Sequence, residues 1–203
     1  MGTHTRTGSM TDSPRPRYRG LTTRDLALIA LFAALLAALS IVPGIPVGPA
    51  PVTLQTLGVV LAPSILGAKR GTLAILTFLV LAIAGLPILS GGQSGLAGLA
   101  GSTGGFLISW IFVALFIGLL TDRMLPRYRL VPGLAVNIAG GLVVCYLIGV
   151  PWMAVVAETG VLGALKIMLV FVPGDIAKIV VATMIASGVH RAYPVPPAGN
   201  RVP

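Results

Sequence analysis

The chain has 203 residues, of which 56% are hydrophobic and only 9% charged, with a formal net charge of +9. Soluble domains carry roughly 25% charged residues, so this composition excludes a soluble fold and calls for an integral membrane protein. Long unbroken apolar runs exclude a transmembrane β-barrel, which needs alternating apolar and polar residues, and the length suits a single helical bundle.

In chain order, residues 1–23 read as a disordered basic tail on the cytoplasmic side, with Arg6, Arg15, Arg17 and Arg19. Residues 26–42 form the first apolar run, about 17 residues and long enough to span. Pro43-Gly44-Ile45-Pro46 follows where a signal peptide would carry a small-residue cleavage site, so this helix is expected to be retained. Ala30, Ala34 and Ala38 recur at four-residue spacing along it, with Ala33 and Ala37 beside them. Such a ridge lets another helix approach closely, either a partner's or one of this bundle. Residues 43–52 are an uncharged loop. The second helix is expected over 53–68, with Gln55 and Thr56 near its start and a kink at Pro63. Lys69-Arg70 is the next charged point, and a third helix covers 71–86.

Residues 87–105 make a long, glycine-rich, uncharged loop whose Leu and Ala content predicts docking onto the bundle. A fourth helix over 106–121 leads to the charged Asp122-Arg123 and Arg127-Tyr128-Arg129. The fifth covers 130–150, with Asn137, Tyr146 and then Pro151-Trp152 at its far end. The stretch from 153 to 189 is too long for one span. Counting back about 17 residues from the charged His190-Arg191 lands on Pro173, a normal first helical position. The sixth helix is therefore expected over 173–189. Residues 153–172, with Glu158 and Lys166, read as a re-entrant or interfacial helical segment, and 192–203 as a C-terminal tail. The expected fold is an all-α integral membrane protein, a six-transmembrane-helix bundle forming one membrane domain over 24–191. All Lys and Arg except Lys166 and Lys178 lie in the tails or in two short loops. The positive-inside rule then puts both termini in the cytoplasm and the uncharged loops outside. This charge follows a lipid bilayer surface, and no nucleic acid partner is expected. The one cysteine, Cys145, sits in an apolar run and reads as a packing residue.

The chemistry concentrates at Pro173-Gly174-Asp175-Ile176-Ala177-Lys178. Asp175 and Lys178 fall in the first turn of the last helix, and their i, i+3 spacing puts both on one face. An ionisable pair within a membrane segment is costly, which marks a functional site by default. The alternative is a structural ion pair between helices. The pair sits in the outer third of the membrane, where the helix N-terminus favours an anion. The only histidines, His4 and His190, lie near the two ends. No HExxH metal motif, complete G-x-S-x-G elbow or P-loop is present. With a single carboxylate in such a position, an ion-coupled pump is poorly supported. A binding protein remains, neither enzyme nor cofactor carrier. Its pocket would open outward under the loops at 43–52 and 87–105. Tyr146, Trp152 and the fourth helix would wall it, and Asp175 and Lys178 would read the ligand. Glycines such as Gly91 and Gly92 would let backbone N–H groups approach, with Gln93 beside them. Tyr146 and Trp152 also fit plain interfacial aromatics, and Gln93 a simple loop hydrogen bond.

Five stretches resemble the BioY family in order and spacing: Pro51-Val52-Thr53-Leu54-Gln55-Thr56-Leu57-Gly58, Ala84-Gly85-Leu86-Pro87, Ser90-Gly91-Gly92, Ser102-Thr103-Gly104-Gly105-Phe106, and Pro173-Gly174-Asp175 with Lys178. Members of this family are biotin-binding S components of energy-coupling-factor (ECF) transporters. The resemblance covers about residues 25–189. It implies a six-helix subunit of the bacterial cell membrane that takes biotin from outside, with Asp175 and Lys178 on the ligand. It also implies that the alanine face of the first helix docks a transmembrane coupling subunit driven by two ATPase subunits. The ureido ring of biotin offers two N–H donors to a carboxylate and a carbonyl to an ammonium. Backbone N–H groups of the glycine loop and Gln93 are candidates for its carboxylate. The family often has Pro where this chain has Ser102, and Tyr where it has Phe106, which lacks the hydroxyl. Two alternatives stay open: an S component for another vitamin, and a solitary transporter or homo-oligomer that needs no ATPase.

Overall fold

The computed structural model of the chain describes residues 20–42, 44–47 and 50–193. The expected tails fall largely outside them. Five helical stretches are long and apolar enough to cross a membrane. The first, α1 (Thr23–Ile41), starts at a capping box in which Thr22 and Asp25 exchange side-chain-to-backbone hydrogen bonds. Two three-residue strands, β1 (Ile45–Val47) and β2 (Ala50–Val52), then pair antiparallel with Ile45 opposite Val52.

The next element, α2 (Gln55–Ile83), holds one non-helical residue, Gly67, at φ 76° and ψ −173°. That conformation is essentially confined to glycine, and the chain doubles back there. A side-chain carbon built on Gly71 would stand 2.6 Å from the Cα of Pro63. Eight residues of unbroken helix would hold those positions about 12 Å apart. So α2 is two legs folded against each other. The bend expected at Pro63 occurs four residues later, because proline removes one helical hydrogen bond whereas Gly67 reverses the path. In an unbroken helix the Ala68 N–H would bond to the Ser64 carbonyl. Here the Ala68 N–H donates to Asp122 Oδ2 at 3.0 Å. The Ser64 carbonyl pairs with His190 Nε2 at 2.9 Å. A carbonyl only accepts, so that ring nitrogen carries the proton.

The stretch expected as loop from 87 to 105 is partly ordered as a 3₁₀ turn (Ser90–Gly92) and α3 (Gly95–Ala100). Next comes α4 (Gly104–Met124). The fifth stretch runs on beyond the expected 150, as α5 (Leu130–Ile138), a π-helical segment (Ala139–Val144) and α6 (Cys145–Val156). Glu158 and Gly160, both at positive φ, turn the chain into α7 (Gly160–Leu169). The last helix, α8 (Val172–Ala192), has Pro173 in its first turn and ends three residues past the expected 189.

Contacts between elements define two ends. Asp25, the Gly67 turn, Asp122, Tyr128 and His190 gather at one of them, along with most of the described basic residues. There Arg70 Nε bonds to Asp25 Oδ1 at 2.5 Å, with both side chains buried. Just inside, Ser64 Oγ donates to Asn137 Oδ1 and Asn137 Nδ2 to Thr183 Oγ1, each at 2.9 Å, tying α2, α5 and α8. At the opposite end α7 folds back on α6, where Met153, Ala164, Met168 and Phe171 form a small apolar core. The main core joins α1, both legs of α2, α4 and α8 around Leu36, Phe78, Ile117 and Ile179. Large apolar residues such as Leu31, Val131, Leu147, Val155 and Met184 face outward, as lipid contact requires.

Candidate functional site

A cavity of about 210 Å³ opens at the end opposite the Asp25–Arg70 pair. Four walls meet there. The start of α2 supplies Thr53, Gln55 and Thr56, and the glycine loop supplies Ser90, Gln93, Ser102 and Thr103. Phe106 and Trp110 come from α4, and Gly141, Cys145 and Tyr146 from the π segment and α6. Met168 and Phe171, then Asp175 and Lys178 of α8, close the fourth side.

Asp175 is the centre of its charged wall. Lys178 Nζ donates to Oδ1 at 3.0 Å, and the Tyr146 hydroxyl donates to Oδ2 at 2.8 Å. Each carboxylate oxygen thus has one protein donor and one lone pair to spare, and the ammonium keeps two N–H groups. The side chains are about one-tenth exposed, 10% for Asp175 and 11% for Lys178. They are largely desolvated but face the cavity. The Asp175–Tyr146 bond also fixes depth. Tyr146 lies ten residues before the end of α6, so α8 begins about 15 Å below that end. The segment containing α7 covers this descent.

Local sequence explains how the walls come together. On α6, Tyr146, Gly149 and Trp152 recur every three residues on one face. Phe106 packs into the gap at Gly149 and meets the Tyr146 ring edge-on, with centroids 6.1 Å apart. Ser109 donates to the Phe106 carbonyl at 2.6 Å and lies 3.3 Å from Cys145 Sγ. On the opposite wall the Gln55 amide donates to Ser40 Oγ of α1 at 2.6 Å, while Thr53 Oγ1 donates to its oxygen at 3.3 Å. Gln55 is thereby oriented before any ligand arrives.

Of the residues expected at the site, Asp175, Lys178, Tyr146 and Gln93 line the cavity. Gly91 and Gly92 do not. Both sit at φ 73° with open space around them, and they make the turn between Ser90 and Gln93. Trp152, expected as a wall, stands behind the lining, where its indole N–H donates to the Gly101 carbonyl at 3.0 Å. Ala30, Ala34 and Ala38 lie exposed on the outer face of α1, whereas Ala33 is buried. Sequence reasoning named the fourth helix as a wall without singling out Trp110, and did not assign Thr53, Gln55, Cys145, Met168 or Phe171 to the site. Isolated polar residues in the uncharged 53–56 stretch were the one signal for Thr53 and Gln55. Among the described residues no group of His, Cys, Asp and Glu is placed to hold a metal ion.

Comparison with known proteins places this architecture. The model of the BioY family matches residues 10–195. The biotin transporter BioY of Rhizobium etli is 44% identical over 185 residues, covering 88% of this chain and 99% of the relative. The biotin transporter BioY of Lactococcus lactis is 32% identical, over 83% and 91% of the two chains. A solved structure of the S-component for biotin from an ECF-type ABC transporter superposes with a TM-score of 0.80 at 30% identity, covering 85% of this chain and 95% of that one. The fold, its multi-pass helices and the match over nearly the whole length lead to one assignment: the chain belongs to the BioY family.

Proposed function

We propose that this chain is the substrate-binding membrane subunit for biotin uptake in a bacterial cell membrane. It captures biotin from the outer face and delivers it inward with an ECF coupling module. The observation that carries this reading is the cavity in which Asp175 is held by Lys178 and Tyr146 yet keeps hydrogen-bonding capacity. Two ureido N–H groups take the free lone pairs of Asp175, and the ureido carbonyl takes an N–H of Lys178. Phe106, Trp110, Met168 and Phe171 enclose the fused rings and the alkyl chain. Gln93 and backbone N–H groups of the glycine loop hold the carboxylate.

Each leg of α2 crosses the membrane in this reading, giving six crossings in all. The supporting observation is that Gly67 joins the basic end while Gln55 joins the cavity end. The exposed Lys69, Arg123, Arg127, Arg129 and Arg191 then lie on the cytoplasmic side with both termini. The cavity faces out. The exposed Ala30, Ala34 and Ala38 dock the transmembrane coupling subunit, which two ATPase subunits drive. Calorimetric titration of the purified protein in detergent tests the assignment, with biotin, dethiobiotin and thiamine. Saturable sub-micromolar biotin binding without a thiamine signal is expected. No biotin heat from a folded sample would sink it.

A further inference from the structure

We infer that Trp152 is a positioning residue, a latch that holds the 101–106 segment in shape as one wall of the cavity. The inference rests on the biotin-binding reading for its consequence, but not for its geometry. Residues 101–106 lie between two surfaces. On one side Gly101, Ser102, Thr103 and Phe106 line the cavity. On the other stands Trp152, which contributes nothing to the lining and is 37% exposed at the outer surface.

Two features join the segment to that indole. The Gly101 carbonyl accepts from Trp152 Nε1 at 3.0 Å and from the Gly104 N–H at 3.0 Å. The turn that leads into α4 is thereby closed from inside the chain and from α6 at the same atom. Of the two glycines that follow, Gly105 makes room for the ring: a side-chain carbon there would overlap the Trp152 Cβ. One on Gly104 would first meet the Leu99 carbonyl oxygen, and would stand 3.1 Å from the indole nitrogen. Side-chain-free backbone at 105 lets the indole reach the Gly101 carbonyl.

The latch does not act alone. Gly149 and Tyr146 receive Phe106 about one and two turns below Trp152 on the same face of α6. The start of α4 is therefore gripped at two heights. The lower grip orients Phe106 against Tyr146, the residue that donates to Asp175. The upper one acts on Gly101, in the turn that carries Ser102 and leads to Thr103, whose carbonyl accepts the Phe106 and Leu107 N–H groups. Losing the upper grip frees the loop wall while the Asp175 cluster stays in place. Ligand is then lost faster, with the charged contacts intact.

The test uses the full chain in detergent with Trp152→Phe, which keeps a ring and removes the N–H, and Gly105→Ala, which displaces the indole from the other side. Amide hydrogen exchange is measured without ligand, and biotin dissociation is followed by chase with unlabelled biotin. Both variants are expected to speed exchange over residues 98–106, the Gly104 amide included, while exchange around Phe78 in the core stays unchanged. Biotin dissociation should quicken about two- to tenfold, the range that one neutral hydrogen bond supports. Unchanged exchange over 98–106 in both variants overturns the latch whatever biotin does. Faster exchange with unchanged dissociation overturns its role in positioning the wall. If the wild-type protein binds no biotin, the function proposed above fails, and the exchange data still decide whether the latch exists.

Discussion

The pairing of Asp175 with Lys178 can be divided into its structural and its binding parts by a double-mutant cycle. Neutralising Asp175 alone, as Asp175→Asn, leaves the Lys178 ammonium largely desolvated with only the cavity to face. Hydrogen bonds to charged groups are worth about 1.5–3 kcal/mol, and removing one partner of a buried pair is costlier than removing both. Both side chains retain about one-tenth exposure, so the lower half of that range applies to the fold. Asp175→Asn and Lys178→Met should each destabilise the protein in detergent. The double variant should recover most of the lost stability, since neither charge is then stranded. Biotin affinity behaves differently. Each single change removes a group placed to bond the ureido ring and weakens binding by at least about tenfold. The double variant recovers none of it. Thermal unfolding and biotin titration of the four proteins give the two cycles. If the double variant binds biotin within threefold of wild type, the pair is only a structural tie between neighbouring turns, and the argument from residual hydrogen-bonding capacity is wrong.

Two further outcomes follow from the same geometry. Gly67→Ala forces a side chain into a glycine-only conformation and against the Asp122 carboxylate that caps Ala68. Backbone strain of about 1–3 kcal/mol plus a disturbed cap should lower the thermal midpoint clearly, and an unchanged midpoint refutes the reversal at Gly67. Ala34→Phe adds bulk on the exposed face of α1. It should leave biotin affinity unchanged and abolish co-purification with the coupling subunit; a complex that survives shows that the alanine face is not the docking surface.

Much of this arrangement was legible in the sequence, because a bilayer turns composition into geometry. Uncharged runs cannot leave the membrane without a loop, and charge marks the loops, so most element positions could be read from where Lys and Arg stop. Asp175 and Lys178 stood out because almost nothing else charged occurs between such points. Hydropathy reports depth, not direction, and the misses share that cause. Lys69-Arg70 signalled a loop, but a single glycine makes the turn, and it lies on the other side of Ala68 from the charges. Proline is the louder signal for a bend, yet Pro63 sits within a leg that continues past it. In the π segment Gly140 and Gly141 pack against Ile117 and Val60, contacts that no local period reveals. Trp152 near a helix end fits an interfacial aromatic equally well until the 101–106 backbone is placed beside it.

Two ion pairs among the described residues show how the same residue types are put to different uses. Asp25 and Arg70 lie far apart in sequence and join α1 to the turn of α2, with side-chain exposures of 1% and 4%. The Asp25 carboxylate also accepts the Thr22 N–H at 2.9 Å. The pair lies outside the cavity that Asp175 and Lys178 line, and it holds the start of α1 against α2. Asp175 and Lys178 are neighbours on one helix turn, a connection that adds little to the fold, and both face open space. Sequence separation and access therefore assign the first pair to stability and the second to the ligand. Arg70→Met should lower the unfolding midpoint more than Lys178→Met, because it strands a buried carboxylate at a junction of helices. In the folded fraction its biotin affinity should stay within about twofold of wild type, whereas Lys178→Met loses tenfold or more, the scale of a charged hydrogen bond. Unfolding curves and titrations on matched samples check both halves. If Arg70→Met weakens biotin as much as Lys178→Met does, the two ends of the bundle are coupled, and a division of labour between the pairs cannot stand.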